Sequence, residues 1–205
     1  MTDSNGPAQT PAPGRIAERK QRTRGAILAA AARLFSRQGY DATTMQEIAA
    51  LADVGIGTVY GYFPSKEEVL RTALAARREA AAAEGAAALH DVRGAVDRAC
   101  LLLRQVWEYF DANRQLALAA MALDAAQPDA HRPDQVDLYA ALTEMLRRGQ
   151  ERGEVAPAPA ATLARALLTS YTWAALRLGI WREAGPPAAV LADLEALTRR
   201  LLTPP

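Results

Sequence analysis

Apolar residues recur at three- and four-residue intervals along most of the chain, the period of helices buried on one side. Ile27, Ala31, Leu34 and Phe35 share one face of a segment from about Thr23 to Gln38, which ends at Gly39, a residue suited to a left-handed cap. Two short helices around a tight turn follow. Thr44 and Glu47 form a capping box, and Ile48, Ala49 and Ala52 make the buried stripe behind it. Asp53, Val54 and Gly55 supply the turn, where Asp tolerates a left-handed backbone and Gly55 opens the next helix. That helix, about Ile56 to Phe63, is stopped by Pro64. Ser65 with Glu68 forms a second capping box and starts a longer, linking helix, which runs through Leu70 and Leu74 into an Ala-rich stretch expected to break at Gly85.

Beyond Asp91 the pattern predicts helices to about Phe110, from about Arg114 to Ala126, and from about Pro133 to Glu151, with breaks at Asn113 and Gln127-Pro128. A Pro-punctuated turn, GEVAPAPA, precedes a long helix from about Ala161 to Glu183 and a last one from about Pro187 to Leu202. The long helix is apolar nearly all round, so it needs cover on more than one side. The last carries Val190, Leu191, Leu194, Leu197 and Leu201 at helical spacing. Together they read as a two-fold interface of two helices from each subunit, with Leu168, Leu176, Trp181, Leu191, Leu194 and Leu201 at the seam of a homodimer. The alternative is that both helices close the core of a single subunit.

Composition favours helix throughout. The 205 residues are 50% hydrophobic, rich in Ala and Arg, with three Phe and no β-branched runs. The fold class is therefore all-α. A net charge of +1 decides nothing about nucleic acid, but its distribution does: from Arg15 to Tyr40, Arg15, Arg19, Lys20, Arg22, Arg24, Arg33 and Arg37 stand against the single acid Glu18. Cys100 is the only cysteine, so no internal disulfide forms. The Pro-, Gly- and Ser/Thr-rich residues 1–14 read as a disordered arm. No signal-like apolar core and no membrane-length apolar run is present, so a cytoplasmic protein is expected. His90 and His131 lie far apart, Cys100 has no partner at metal spacing, and no phosphate-binding glycine loop follows a strand. No catalytic centre, metal or cofactor is expected. Glu108, Asp111 and Asp124 are read as solvated carboxylates.

The first third of the chain resembles the tetracycline-repressor (TetR) family of bacterial transcription regulators. The resemblance rests on Ile27, Leu28, Ala30, Ala31, Leu34, Phe35, Gly39 and Tyr40, then Thr44, Glu47, Ile48, Ala49, Ala52 and Val54, then Gly57, Thr58, Tyr60, Tyr62, Phe63, Lys66 and Glu67. Three positions depart from the family pattern: Asp53 replaces the common turn glycine, Gly55 the common hydroxyl cap, and Gly61 a usually larger, often basic residue. The resemblance implies a helix-turn-helix DNA-binding domain over about 15–64 and a linking helix plus C-terminal ligand-binding and dimerisation domain over 65–205. It also implies a dimeric regulator, most often a repressor, that binds a palindromic operator in double-stranded DNA and is released by a small-molecule effector. The alternative is a DNA-binding regulator controlled by a protein partner, with no small ligand.

In a helix-turn-helix the first residues of the second helix face base edges while nearby groups hold phosphates. Those first residues are Gly55, Ile56, Gly57 and Thr58. Ile56 suits a thymine methyl, Thr58 a base or phosphate, and the glycines permit close backbone approach. Tyr60 is placed for a phosphate or a base, and Thr44, Tyr62 and Lys66 for phosphate, since a cation at a helix amino end wants an anion. For the effector that the resemblance implies, Trp107, Phe110, Met121, Tyr139, Met145, Tyr171 and Trp173 are the candidate lining, with ordinary core packing as the alternative for each.

Overall fold

The computed structural model describes residues 13–126, 138–177 and 186–205. Among these residues there are nine α-helices and no strand. The chain divides into two compact units, one ending at Ala73 and the other comprising Leu74–Pro205.

The first unit contains α1 (Pro13–Gln38), α2 (Met45–Leu51), α3 (Ile56–Tyr62) and the first turns of α4 (Lys66–Asp91). Helix α1 begins well before Thr23. Proline suits a first turn because it has no amide hydrogen to leave unbonded, and Arg, Ala and Glu extend the helix without needing burial. That leading half is exposed and so carries no apolar period. Of the arm expected over 1–14, only Pro13 and Gly14 are described, and both belong to α1. Ile27, Ala31, Leu34 and Phe35 of α1 are buried, as are Met45, Ile48 and Ala49 of α2, Val59 of α3, Phe63, and Val69, Leu70 and Ala73 of α4. Burying a side chain such as Phe35 or Phe63 contributes about 1.5–3 kcal/mol each.

The second unit holds the rest of α4 with α5 (Ala95–Ala112), α6 (Arg114–Ala126), α7 (Leu138–Glu151), α8 (Ala160–Arg177) and α9 (Pro187–Leu202). Helix α4 does not break at Gly85. That residue is buried, and a β-carbon there would lie 2.5 Å from Oε1 of Gln105, so the glycine makes room for a neighbouring side chain inside a continuous helix. The predicted break at Gln127-Pro128, the Pro133 start and the end of the long helix lie outside the described residues.

The core joins Ala99, Leu103 and Trp107 of α5 to Leu142 and Leu146 of α7, Leu167, Tyr171 and Ala175 of α8, and Leu202 of α9. Thr198 donates its hydroxyl hydrogen to the Leu194 carbonyl at 2.8 Å, so the Tyr171 hydroxyl is the donor in the 3.1 Å bond between them. Burial pushes that phenol up to about 12. Gly94 opens α5 without a side-chain cap, and the Glu154 carboxylate accepts the Ala95 amide instead at 2.8 Å.

This core takes in some of the residues expected at a dimer seam. Leu176 is buried within its own subunit, and Leu168, Leu191 and Leu194 pack partly against the same core. Part of the apolar stripe of α9, Val190, Leu191 and Leu194, thus packs on its own subunit. Leu201 keeps an outward face at 47% exposure, joined by Leu197 at 51%, and Trp181 lies outside the described residues. Nor is the described part of α8 apolar all round, for Arg165, Thr169 and Ser170 point outward beside Trp173.

Candidate nucleic-acid interface and effector cavity

The first unit builds a helix-turn-helix from its caps upward. The Thr44 amide donates to Glu47 Oε2 at 2.8 Å, its hydroxyl donates to the same oxygen at 2.9 Å, and the Glu47 amide donates back to that hydroxyl at 3.2 Å. Glu47 also accepts from Gln38 Nε2 at 3.2 Å, which ties the end of α1 to the start of α2. These bonds, the Thr44 amide first, hold the Glu47 carboxyl below its ordinary value. The Thr44 hydroxyl is therefore committed to its cap, and what α2 offers outward at this end is backbone.

Helix α2 ends as the turn chemistry predicts. Asp53 is left-handed at φ 55, its amide donates to Ala50 O at 3.3 Å, and the Val54 amide donates to Ala49 O at 3.1 Å. Asp accepts this conformation where most side chains would be strained. Gly55, at φ −67 and ψ 146, then caps α3 with no side-chain bond.

Only Val59 of α3 is buried, and Phe63 just beyond it is buried too. Ile56 is 38% exposed and Tyr60 51%, with Gly57, Thr58 and Gly61 also open and Tyr62 half-buried. An added β-carbon at Gly57 or Gly61 would meet nothing within 4 Å, and neither residue has a positive φ, so the fold itself requires no glycine at either place. No acidic residue occupies the first turn of α3. The result is an outward face of uncharged groups, with the Arg24 guanidinium of α1 5.5 Å from the Phe63 ring at its end.

Lys66 does not behave as expected of a phosphate ligand. Its Nζ donates to Tyr40 O at 2.8 Å and Thr43 O at 2.9 Å, with Asp41 O at 3.4 Å, and sits 4.2 Å from the centroid of the Tyr40 ring. The cation at this helix start has found its negative partners in carbonyls of the α1–α2 connection. Local spacing gave no sign of partners 23 to 26 residues away.

The seven aromatic and Met candidates for an effector site do not line one cavity. Trp107 and Tyr171 are buried in the core, and Tyr139 and Met145 pack against it. Met121 and Trp173 are exposed, the latter under the Arg177 guanidinium at 5.1 Å. Phe110 alone borders a described cavity, a space of about 100 Å³ lined by Arg78, Ala81 and Ala82 of α4, Leu102, Gln105, Val106, Tyr109 and Phe110 of α5, and Leu138 of α7. Sequence pattern picked out the large residues, and large residues fill cores. The cavity exists instead because Ala81 and Ala82 leave space. Among the described residues no group of acids, His and Cys is arranged to hold a metal ion, and no helix is long and apolar enough to cross a membrane.

The sequence model for bacterial regulatory proteins of the tetR family matches residues 27–73. Over 61 residues the chain is 46% identical to the HTH-type transcriptional repressor KstR of Mycolicibacterium smegmatis, which covers 30% of this chain and 29% of that protein. The chain thus spans less than a third of the length of that relative. Similarity of fold extends much further. A transcriptional regulator of Saccharomonospora viridis crystallised with choline superposes with a TM-score of 0.73 at 20% identity, over 91% of this chain and 98% of that one. FadR of Thermus thermophilus, a TetR-family repressor crystallised with lauroyl-CoA, superposes with a TM-score of 0.60 at 27% identity, over 85% and 92%.

Gly57→Ala and Gly61→Ala separate the needs of the fold from those of the outward face. Each variant is expected to raise the unfolding free energy by up to about 1 kcal/mol, the helix-propensity gain of Ala over Gly, in denaturant titrations. Gly57→Ala is expected at the same time to weaken duplex binding in fluorescence anisotropy, because it adds bulk where a backbone approaches DNA.

Proposed function

Since the chain belongs to the TetR family of transcription regulators, we propose that it is an effector-released dimeric repressor that reads a palindromic operator with α3 of each subunit. One observation carries this reading. Helix α3 is held to the domain by Val59 and Phe63 while Ile56, Gly57, Thr58 and Tyr60 stand clear of it, the disposition a recognition helix needs to enter a major groove. Ile56 suits a thymine methyl, Thr58 a base or phosphate, and Tyr60 and Tyr62 the flanking backbone, with the amides of Gly55 and the start of the Thr44 helix directed at phosphate. The chemistry is binding, and no step of catalysis is involved.

Dimerisation through α8 and α9 is supported by Leu197 and Leu201, four residues apart on the outward side of α9. The effector reading is supported by the cavity between α4, α5 and α7, and by the lauroyl-CoA bound to the Thermus thermophilus repressor. At about 100 Å³ the cavity is smaller than the roughly 300–1,000 Å³ usual for small-molecule sites, so an effector would have to push its walls apart. That requirement is a means of switching: a molecule that binds only the expanded form draws the protein toward it by its preference for that form.

Selection from random duplexes followed by footprinting tests the regulator. A short, roughly palindromic site is expected, with half-sites bound poorly, since two identical helices about 34 Å apart read one face of the duplex. Uniform coverage of unrelated DNA at physiological salt would refute it. Leu197→Glu combined with Leu201→Glu is expected to sediment as a monomer with operator affinity collapsed, while the Leu194 side of α9 stays packed. An intact dimer would move the interface elsewhere. A cavity ligand found by thermal shift is expected to lose its effect in Val106→Phe, and calorimetry is expected to show operator and ligand weakening each other by one common factor.

A further inference from the structure

The surroundings of the Lys66 ammonium give it a role other than contact with DNA. We propose that Lys66 is a lysine-specific positioning residue of the DNA-reading unit, fixing the α1–α2 corner to the first turn of α4. The proposal rests on the regulator reading for its consequence but on geometry for its substance. Three hydrogens leave Nζ, and three carbonyls surround it: Tyr40 at 2.8 Å, Thr43 at 2.9 Å and Asp41 at 3.4 Å. The Tyr40 ring, itself 5.5 Å from Phe35, adds its face at 4.2 Å. A cation is unfavourable at the start of α4 and favourable just beyond the carboxyl end of α1, where the carbonyls of Tyr40, Asp41 and Thr43 converge. Lys66 begins the one helix and reaches the connection that follows the other.

The corner it holds is tight. Thr43 is buried, with its hydroxyl donating to the Gly39 carbonyl at 2.7 Å, and Gly39 is left-handed at φ 85. Thr44, the cap of α2, follows at once, so the position of this corner sets where α2, the turn and α3 begin. Composition points the same way. Of 24 basic residues only Lys20 and Lys66 are lysines, so the chain uses a compact ammonium here amid an otherwise almost complete preference for arginine. A planar guanidinium suits carboxylate and phosphate forks and cannot sit at the centre of three converging carbonyls.

Lys66→Arg therefore discriminates. In the full-length protein, Lys66→Arg and Lys66→Met are expected to lose about tenfold or more in affinity for the selected operator, as for removal of a charge-assisted hydrogen bond, with Arg no better than Met. Both should bind an unrelated duplex of equal length as the wild type does, with the same salt dependence. Wild-type operator affinity in Lys66→Arg, or a salt slope on unrelated DNA reduced by about 0.9 in Lys66→Met, would make Lys66 a phosphate ligand and overturn the proposal. Should Lys66→Met fail to fold, Tyr40→Leu removes the ring face alone and is expected to cost about threefold on the operator, against no change in Tyr40→Phe. Equal affinity for Tyr40→Leu and the wild type would overturn it. If the wild type prefers no duplex at all, the regulator reading fails and melting temperature decides this one: both Lys66 variants must melt lower than the wild type, and unchanged melting would count against it.

Discussion

A seven-residue helix does not hold together in water, because nucleation costs more than so few hydrogen bonds return. Helix α3 has two glycines besides, and it leaves most of its side chains unburied. It is kept by what lies at its ends and beneath it: the left-handed turn at Asp53, Val59, and Phe63 under the Arg24 guanidinium at 5.5 Å. Everything else in the first unit serves that arrangement. Helices α1 and α2 supply the apolar floor, and the capping box and Gln38 fix where α2 begins.

The second unit solves a different problem, that of burying polar groups within a mostly aliphatic core. Tyr171 and Thr198 do so as a relay ending on the Leu194 carbonyl, which leaves neither of their two hydroxyl hydrogens idle. Exposed ion pairs such as Arg104 with Glu195 and Arg199 with Asp97 add little stability, but they fix the register of α9 against α5. Gly85 and the alanines of α4 work in the opposite sense. By being small they leave room for Gln105 and for a cavity.

What the sequence made legible was local. Thr44 with Glu47, the left-handed Asp53 and the span of α9 all follow from spacings of a few residues, where covalent geometry restricts the choices. What escaped it was relational. The leucines of α9 announce an apolar face without saying whether their own subunit or another covers it, and here their own subunit covers Leu191 and Leu194 in part and leaves Leu197 and Leu201 exposed. Trp107 and Tyr171 are large whether they line a cavity or fill a core. The exposed start of α1 has no period to detect, and the carbonyls around Lys66 are remote in sequence.

The scarcity of lysine reaches into how the molecule can be handled. Lys20 lies exposed on α1, while the only other side-chain amine is enclosed by carbonyls and an aromatic ring. Amine-reactive dyes, crosslinkers and sensor chips would accordingly draw on Lys20 and the α-amine and fasten the protein through the very unit that meets a duplex. Arginine-rich chemistry elsewhere offers no competing handle, so an orientation that leaves the reading helices free has to come from a tether placed in the second unit.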